Sequence, residues 1–297
     1  MNKKSLLWLT PMILLLVGRA WAEDLPWEMK LPFKEATIQY ELTGSDKGTE
    51  TLYVQEYGKR QARTHASVMS MMGTTQKTDT VQITDPDWIY TYDLVGKKGT
   101  KTTNPTKLYR EEYNKLSAEG KKNFEKNAKE LGSGMLGQFG AKVKQKGAKV
   151  LGYDCDVTTV GGMSTVYILH GSNIPLRSET TVMGMNNVLN ATKIDTAAPV
   201  PDKVLAPPAG IEPMLDQQTD LMMTRMVKDT VATLAKPDGA KVMQQAGPMG
   251  MMGGANMQQQ LQDSMKEQGL SPEQQQEAMR QLNEAMQQMQ KAKQPTK

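Results

Sequence analysis

Lys149 to Val182 reads KVLGYDCDVTTVGGMSTVYILHGSNIPLRSETTV, and the fold class follows from how this stretch divides. Paired glycines between alternating apolar runs predict a hairpin closed at Gly161-Gly162, with a third strand entered through Gly171-Ser172-Asn173. A two-residue loop sets Cys155 opposite Ile168 and places Val157 and Val166 on the same apolar face. Asp154, Asp156 and Thr158 then point the other way. In this register His170 opposes Tyr153 and lies diagonally from Cys155. A strand pair with one wet face is the unit of an antiparallel sheet that covers a single core.

The segments before it repeat the pattern. Glu35–Thr43 puts Ala36, Ile38, Tyr40 and Leu42 on one face, and Thr49–Glu56 answers with Leu52 and Val54. Gln61–Met69 and Gln76–Thr84 alternate in turn, the first through Ala62, Thr64, Ala66 and Val68. Asp85-Pro86-Asp87 is a turn by composition, and Trp88, Tyr90 and Tyr92 share one face of a short strand. Short strands with turn chemistry between them predict a meander. From Pro105 the period becomes helical, giving an insert over 105–131 that is either a lid or a decorative helical hairpin. Gly132 to Gly147 reads as a glycine-rich connection, Asn187 to Asp195 as a further strand, and the prolines from Pro199 to Pro208 as the end of the domain.

The ends of the chain differ in kind. Lys3 and Lys4, the apolar run Leu6–Val17 and Ala20-Trp21-Ala22 form a secretory leader with cleavage after Ala22, which predicts a periplasmic or secreted protein without a transmembrane anchor. Loss of Lys3, Lys4 and Arg19 takes the formal charge of +4 close to neutrality, which argues against a nucleic-acid partner. With Cys155 as the single cysteine, the fold has no intrachain disulfide and depends on its core. The expected organisation is a leader at 1–22, a sheet domain at 23–213, a helix at 214–237, and a linker with a Met/Gln-rich helical tail at 238–297. Gly247 to Gly254 is the flexible part of that linker.

The order of strands, insert, "LGYDCDV", hairpin, "HGSNIPLRSET" and "ATKID" resembles the LolA-like half-barrels, the periplasmic lipoprotein-carrier superfamily. It is most similar to exported domains sharing a Gly-Tyr-x-Cys strand followed by a Gly-x-x-Ile-Pro-Leu-[Lys/Arg]-x-Glu strand. Gly152, Tyr153, Cys155, Gly171, Ile174, Pro175, Leu176, Arg177 and Glu179 carry the match. The resemblance implies an α+β fold, a curved antiparallel open half-barrel whose helical insert is either a lid or a decorative hairpin, and a non-catalytic carrier of an apolar ligand.

On that reading Ile38, Tyr40, Leu52, Val54, Trp88, Tyr90, Tyr92, Cys155, Val157, Val166 and Ile168 are expected to line a ligand cavity. The guest is a lipid, an acyl chain or a lipidated partner, and no cofactor is implied. The alternative is an envelope interaction protein whose Met/Gln-rich tail docks on another component. Cys155 with His170 is the sharpest reactive pair, set against a buried thiol that acts as a small hydrophobe. The chain's 23 methionines invite Cu(I), with Met249, Met251, Met252, Cys155 and His170 as ligands, but adaptable apolar contact explains them without a metal. Lys142, Lys144, Lys146 and Lys149 read as a solvated loop. No P-loop, nucleotide fingerprint or HExxH motif is present, and an enzyme is not expected.

Overall fold

The computed structural model describes residues 31–71, 74–138, 141–160, 164–182 and 185–251. The leader, the Gly161-Gly162 loop and the tail beyond Met251 lie outside them. The chain divides into two compact units, Met1–Gln244 and Gln245–Lys297.

The first unit is built on one open sheet of twelve strands. β1 (Ala36–Gly44), β2 (Asp46–Gln55), β3 (Arg60–Met71), β4 (Thr74–Thr84), β5 (Trp88–Asp93) and β6 (Lys98–Thr103) form one antiparallel meander. β7 (Ala141–Val150), β8 (Tyr153–Val160), β9 (Ser164–Leu169), β10 (Pro175–Val182) and β11 (Met185–Asp195) form a second. β1 pairs with β11 and joins them, with Ile38 opposite Ile194 and Leu42 opposite Leu189. β12 (Pro213–Leu215) adds to β6 in parallel, so β12 and β7 are the two outer strands. The mostly antiparallel open sheet with helices agrees with the expected α+β class.

β6 and β12 escape a hydropathy reading because KGTKTT and PML carry no alternation. The stretch 132–147 is not a connection. A helix continues to Gln138, and Ala141–Val150 is a strand whose lysines are solvated because no described strand pairs with its outer edge.

The two faces of the first meander carry separate cores. Ala36, Ile38, Tyr40, Leu52 and Val54 pack with Leu31, Cys155, Leu169, Ile174, Leu176 and Ala191. On the other face Ala62, Ile83 and Tyr92 are closed by Val200 and Leu205 from the segment after β11. Each fully buried large aliphatic residue stabilises the fold by about 1.5–3 kcal/mol.

The described residues also form four α-helices, α1 (Pro105–Asn114), α2 (Ala118–Gln138), α3 (Gln217–Leu234) and α4 (Gly239–Met251), and two short 3-10 turns at Glu56–Gly58 and Asp202–Leu205. Asn104 caps α1 by accepting from the Thr106 amide, and Pro105 occupies its first turn, where no donor is needed. The insert packs on α3, burying Phe124, Ala128 and Leu131 of α2 and Val227, Val231 and Leu234 of α3. Asn127 donates to the Leu234 and Lys236 carbonyls at 2.8 and 2.6 Å, which satisfies the C-terminal end of α3. α3 thus belongs to the same unit as the sheet. α4 occupies residues 247–251 of the stretch read as a flexible linker.

Hairpin β8–β9 corrects the expected register. Cys155 pairs with Leu169, Val157 with Tyr167, Asp156 with Ile168 and Thr158 with Val166. The loop between Val160 and Ser164 therefore holds one residue more than a glycine pair. A slip of one residue sends a strand's side chains to opposite faces. Val166 and Ile168 accordingly lie on the face of Asp156 and Thr158, away from Cys155 and Val157.

Candidate functional site

The expected cavity residues do not converge on one space. Register runs from Leu52 to Arg63 to Gln82 to Thr91, whereas Tyr53, Ala62, Ile83 and Tyr90 follow one another on the opposite face. Ile38, Tyr40, Leu52 and Val54 are therefore separated by the sheet from Trp88, Tyr90 and Tyr92. The first four are closed into a core with Cys155. Tyr92 is fully buried in the other core and stacks on Tyr90 at 6.5 Å, while Lys101 lies 4.7 Å above the Trp88 ring. A Cβ at Gly99 would stand 2.9 Å from the Tyr92 ring, so glycine there is what admits the aromatic side chain.

The Cys155–His170 pair is also undone by the register. His170 follows Leu169, Cys155's partner, and its Nδ1 lies 2.8 Å from Asp156 Oδ1 on the opposite side of β8. Burial pushes the Cys155 thiol above its usual range, so the unreactive neutral form is favoured. Among the described residues no group of three or more His, Cys, Asp and Glu could hold a metal ion. Met252 lies outside them, and Met249 and Met251 fall within α4.

A different constellation stands on β1–β3. The face that carries Leu52 and Val54 at one end of β2 carries Glu50, Gly48 and Asp46 at the other. Glu50 pairs with Tyr40 on β1 and His65 on β3, and Gly48 pairs with Ser67. Arg63, two residues before His65, lies on the same face and is ion-paired to Glu50 Oε1. His65 Nδ1 is 3.2 Å from Glu50 Oε2, and its Nε2 is 3.0 Å from Ser67 Oγ and 4.0 Å from Asp46 Oδ2. Glu50, His65 and Ser67 are all buried, as is the unpartnered hydroxyl of Tyr40. Burial holds Tyr40 well above the ordinary tyrosine range, and the Arg63 charge only partly offsets this.

Gly48 makes the close packing here. A Cβ on it would lie 2.0 Å from the Ala66 carbonyl oxygen, so a larger residue would part β2 from β3. Its missing side chain leaves Ser67 without a cross-strand neighbour on β2.

The Ser67–His65–Glu50 order has the spacing of a proton relay. The charge around it opposes acyl transfer, because Asp46 places a carboxylate beside Nε2, where a developing oxyanion would need a donor. Arg63, the nearby cation, is held by Glu50 instead. Sequence reading passed over this cluster because alternation in β3 was followed through Ala62, Thr64 and Ala66. The complementary set Arg63-x-His65-x-Ser67, facing Asp46-x-Gly48-x-Glu50, was the available signal.

No family model and no curated protein matches the chain. Solved structures with some likeness include an uncharacterised conserved protein from Thermus thermophilus, at 8% identity and a TM-score of 0.33, over 60% of this chain and 90% of that one. MucB is similar at 11% identity and a TM-score of 0.29, over 59% of this chain and 58% of that one. PNGF-II is similar at 13% identity and a TM-score of 0.30, with 65% of this chain spanning 33% of that one. Similarities of this size carry no argument about function.

Proposed function

We propose that this chain is an exported, non-catalytic binding protein for an apolar ligand, either an acyl chain or a lipidated partner. The observation that carries the reading is exposed apolar surface at one end of the open sheet. Between Met214 and Met222, Met214 is 75% exposed, Leu215 42%, Leu221 60% and Met222 37%. These residues span the outer strand β12 and the first turns of α3. Met214 and Leu215, as strand neighbours, point to opposite faces of β12, so the apolar surface wraps this outer edge, and large apolar side chains exposed there are read as contact with something apolar. The half-barrel resemblance and the leader supply the class of guest and the compartment.

The sealed cores argue against a guest lodged among Ile38, Leu52 and Cys155. Binding on this reading uses the β12–α3 end.

Displacement of a fluorescent fatty-acid probe tests the reading. The wild-type chain is expected to bind the probe, and serine at Met214, Leu215 and Leu221 is expected to weaken binding at least tenfold with the fold intact. Equal probe binding by the variant would reject this location. Covalent labelling of Ser67 by a fluorophosphonate would reject the non-catalytic assignment.

A further inference from the structure

The outer strand at the other end of the sheet carries a feature that apolar-ligand binding does not use. Among the described residues β7 pairs only with β8. Lys142, Lys144 and Lys146 are exposed along it, and among the described residues none makes a salt-bridge contact, the Lys146 charge reaching Asp154 only at longer range. The nearby acids are already engaged. Asp154 takes Lys149 at 2.8 Å, and Asp156 takes the Lys146 backbone amide and the His170 ring, each at 2.8 Å. Three positive charges are left along one free strand edge.

Lysine on an outer strand has an ordinary explanation, since it deters pairing with another sheet. That explanation does not cover the apolar side chains beside the lysines. Val143 is 46% exposed within the basic run, and Leu151, at the β7–β8 turn, is 47% exposed. Leu151 also sits at φ +51°, followed by Gly152 at φ +84°. A hairpin turn with two left-handed residues favours Asn-Gly, and leucine there costs backbone energy while exposing its side chain to water. A cost on both counts points to a partner that accepts the leucine.

We infer that the β7 edge docks on an anionic lipid surface, with Lys142, Lys144 and Lys146 at the headgroups and Leu151 dipping into the interface. Cations interleaved with exposed aliphatic side chains suit that surface, because the charges attract it and the apolar tip adds burial. Lys142 and Lys144 share one face of β7, Val143 faces the other way and Lys146 lies in the bulge before Ala148, so the free edge, and not either face, meets the surface. The inference is independent of what the β12–α3 end binds.

The test is co-sedimentation of the chain from Glu23 onward with phosphatidylcholine vesicles, with and without phosphatidylglycerol. Binding is expected only to the phosphatidylglycerol vesicles and is expected to fall as salt is raised. Glutamine at Lys142, Lys144 and Lys146 together should weaken it by about a hundredfold, at roughly fivefold per lysine. Leu151→Asn suits the turn, so it should keep the fold and still weaken vesicle binding several-fold. Absence of wild-type binding, or equal binding by both variants, overturns the proposal. So does retention on heparin without vesicle binding, which would assign the edge to a soluble polyanion. Self-association of the lysine variant with undiminished vesicle binding would leave only the protective role for these residues.

Discussion

Glu50 on β2 and His65 on β3 face each other as a register pair, with Oε2 3.2 Å from Nδ1. This contact and the Arg63 ion pair use both Glu50 oxygens in a site where the carboxylate is 6% exposed. Removing the charge leaves two donors without an anion. Glu50→Gln is expected to lower unfolding stability by about 1–3 kcal/mol, the lower part of that range reflecting the partial exposure of Arg63. Urea denaturation of Glu50→Gln, Arg63→Gln and the double variant checks it. The double variant should lose less than the sum of the two, and strict additivity would mean the groups are not coupled.

Tyr40 gives the opposite prediction. Its hydroxyl is buried and unpartnered, so Tyr40→Phe removes an unsatisfied group and should leave stability unchanged or raise it by about 1 kcal/mol. The pH dependence follows from the raised ionisation. An unfolded tyrosine loses its proton near pH 10, whereas the folded one holds on to it, so stability present below pH 10 declines as pH rises above it. The phenylalanine variant should show a shallower decline in alkaline urea titrations.

The hairpin register can be tested by oxidation. The His170 amide bonds the Asp154 carbonyl at 2.9 Å, which makes Cys155–Leu169 a non-hydrogen-bonded pair. Such pairs bring Cα atoms to about 4.5 Å, within disulfide range. Leu169→Cys should therefore close a disulfide with Cys155 under mild oxidant. Ile168→Cys should not, and closure there would restore the two-residue loop.

That hairpin shows how far the sequence could be read. Alternation located β1–β5, β8–β11 and the helical insert, because each buries apolar side chains at a regular period. Register within β8–β9 depends on loop length, and three loop residues leave the same Gly-Gly signature as two. β6, β7 and β12 are set by hydrogen bonding to neighbours, with little apolar content of their own. The polar cluster was hidden for a related reason. Arg63, His65 and Ser67 lie on the same sheet face as the apolar Leu52 and Val54, and only strand pairing shows that Glu50 and Asp46 meet them. The division of Tyr40 and Tyr90 between two faces likewise follows from register across five strands.

Asn127 ties the insert to α3. It is 1% exposed, and its amide donates to two carbonyls that close the helix end. Asn127→Ala should cost about 1–3 kcal/mol, because those acceptors lie where water has little access. Loss of stability in urea with an unchanged slope would confirm a packed insert. A neutral substitution would indicate an insert that moves freely as a lid.

The central claim is that this chain holds an apolar guest, and mass spectrometry under native conditions tests it most directly. Protein isolated from its own cells is predicted to carry an added mass that an organic extract identifies as acyl-containing. The bare polypeptide mass alone, from protein that also fails to take up a fluorescent fatty-acid probe, would contradict the account.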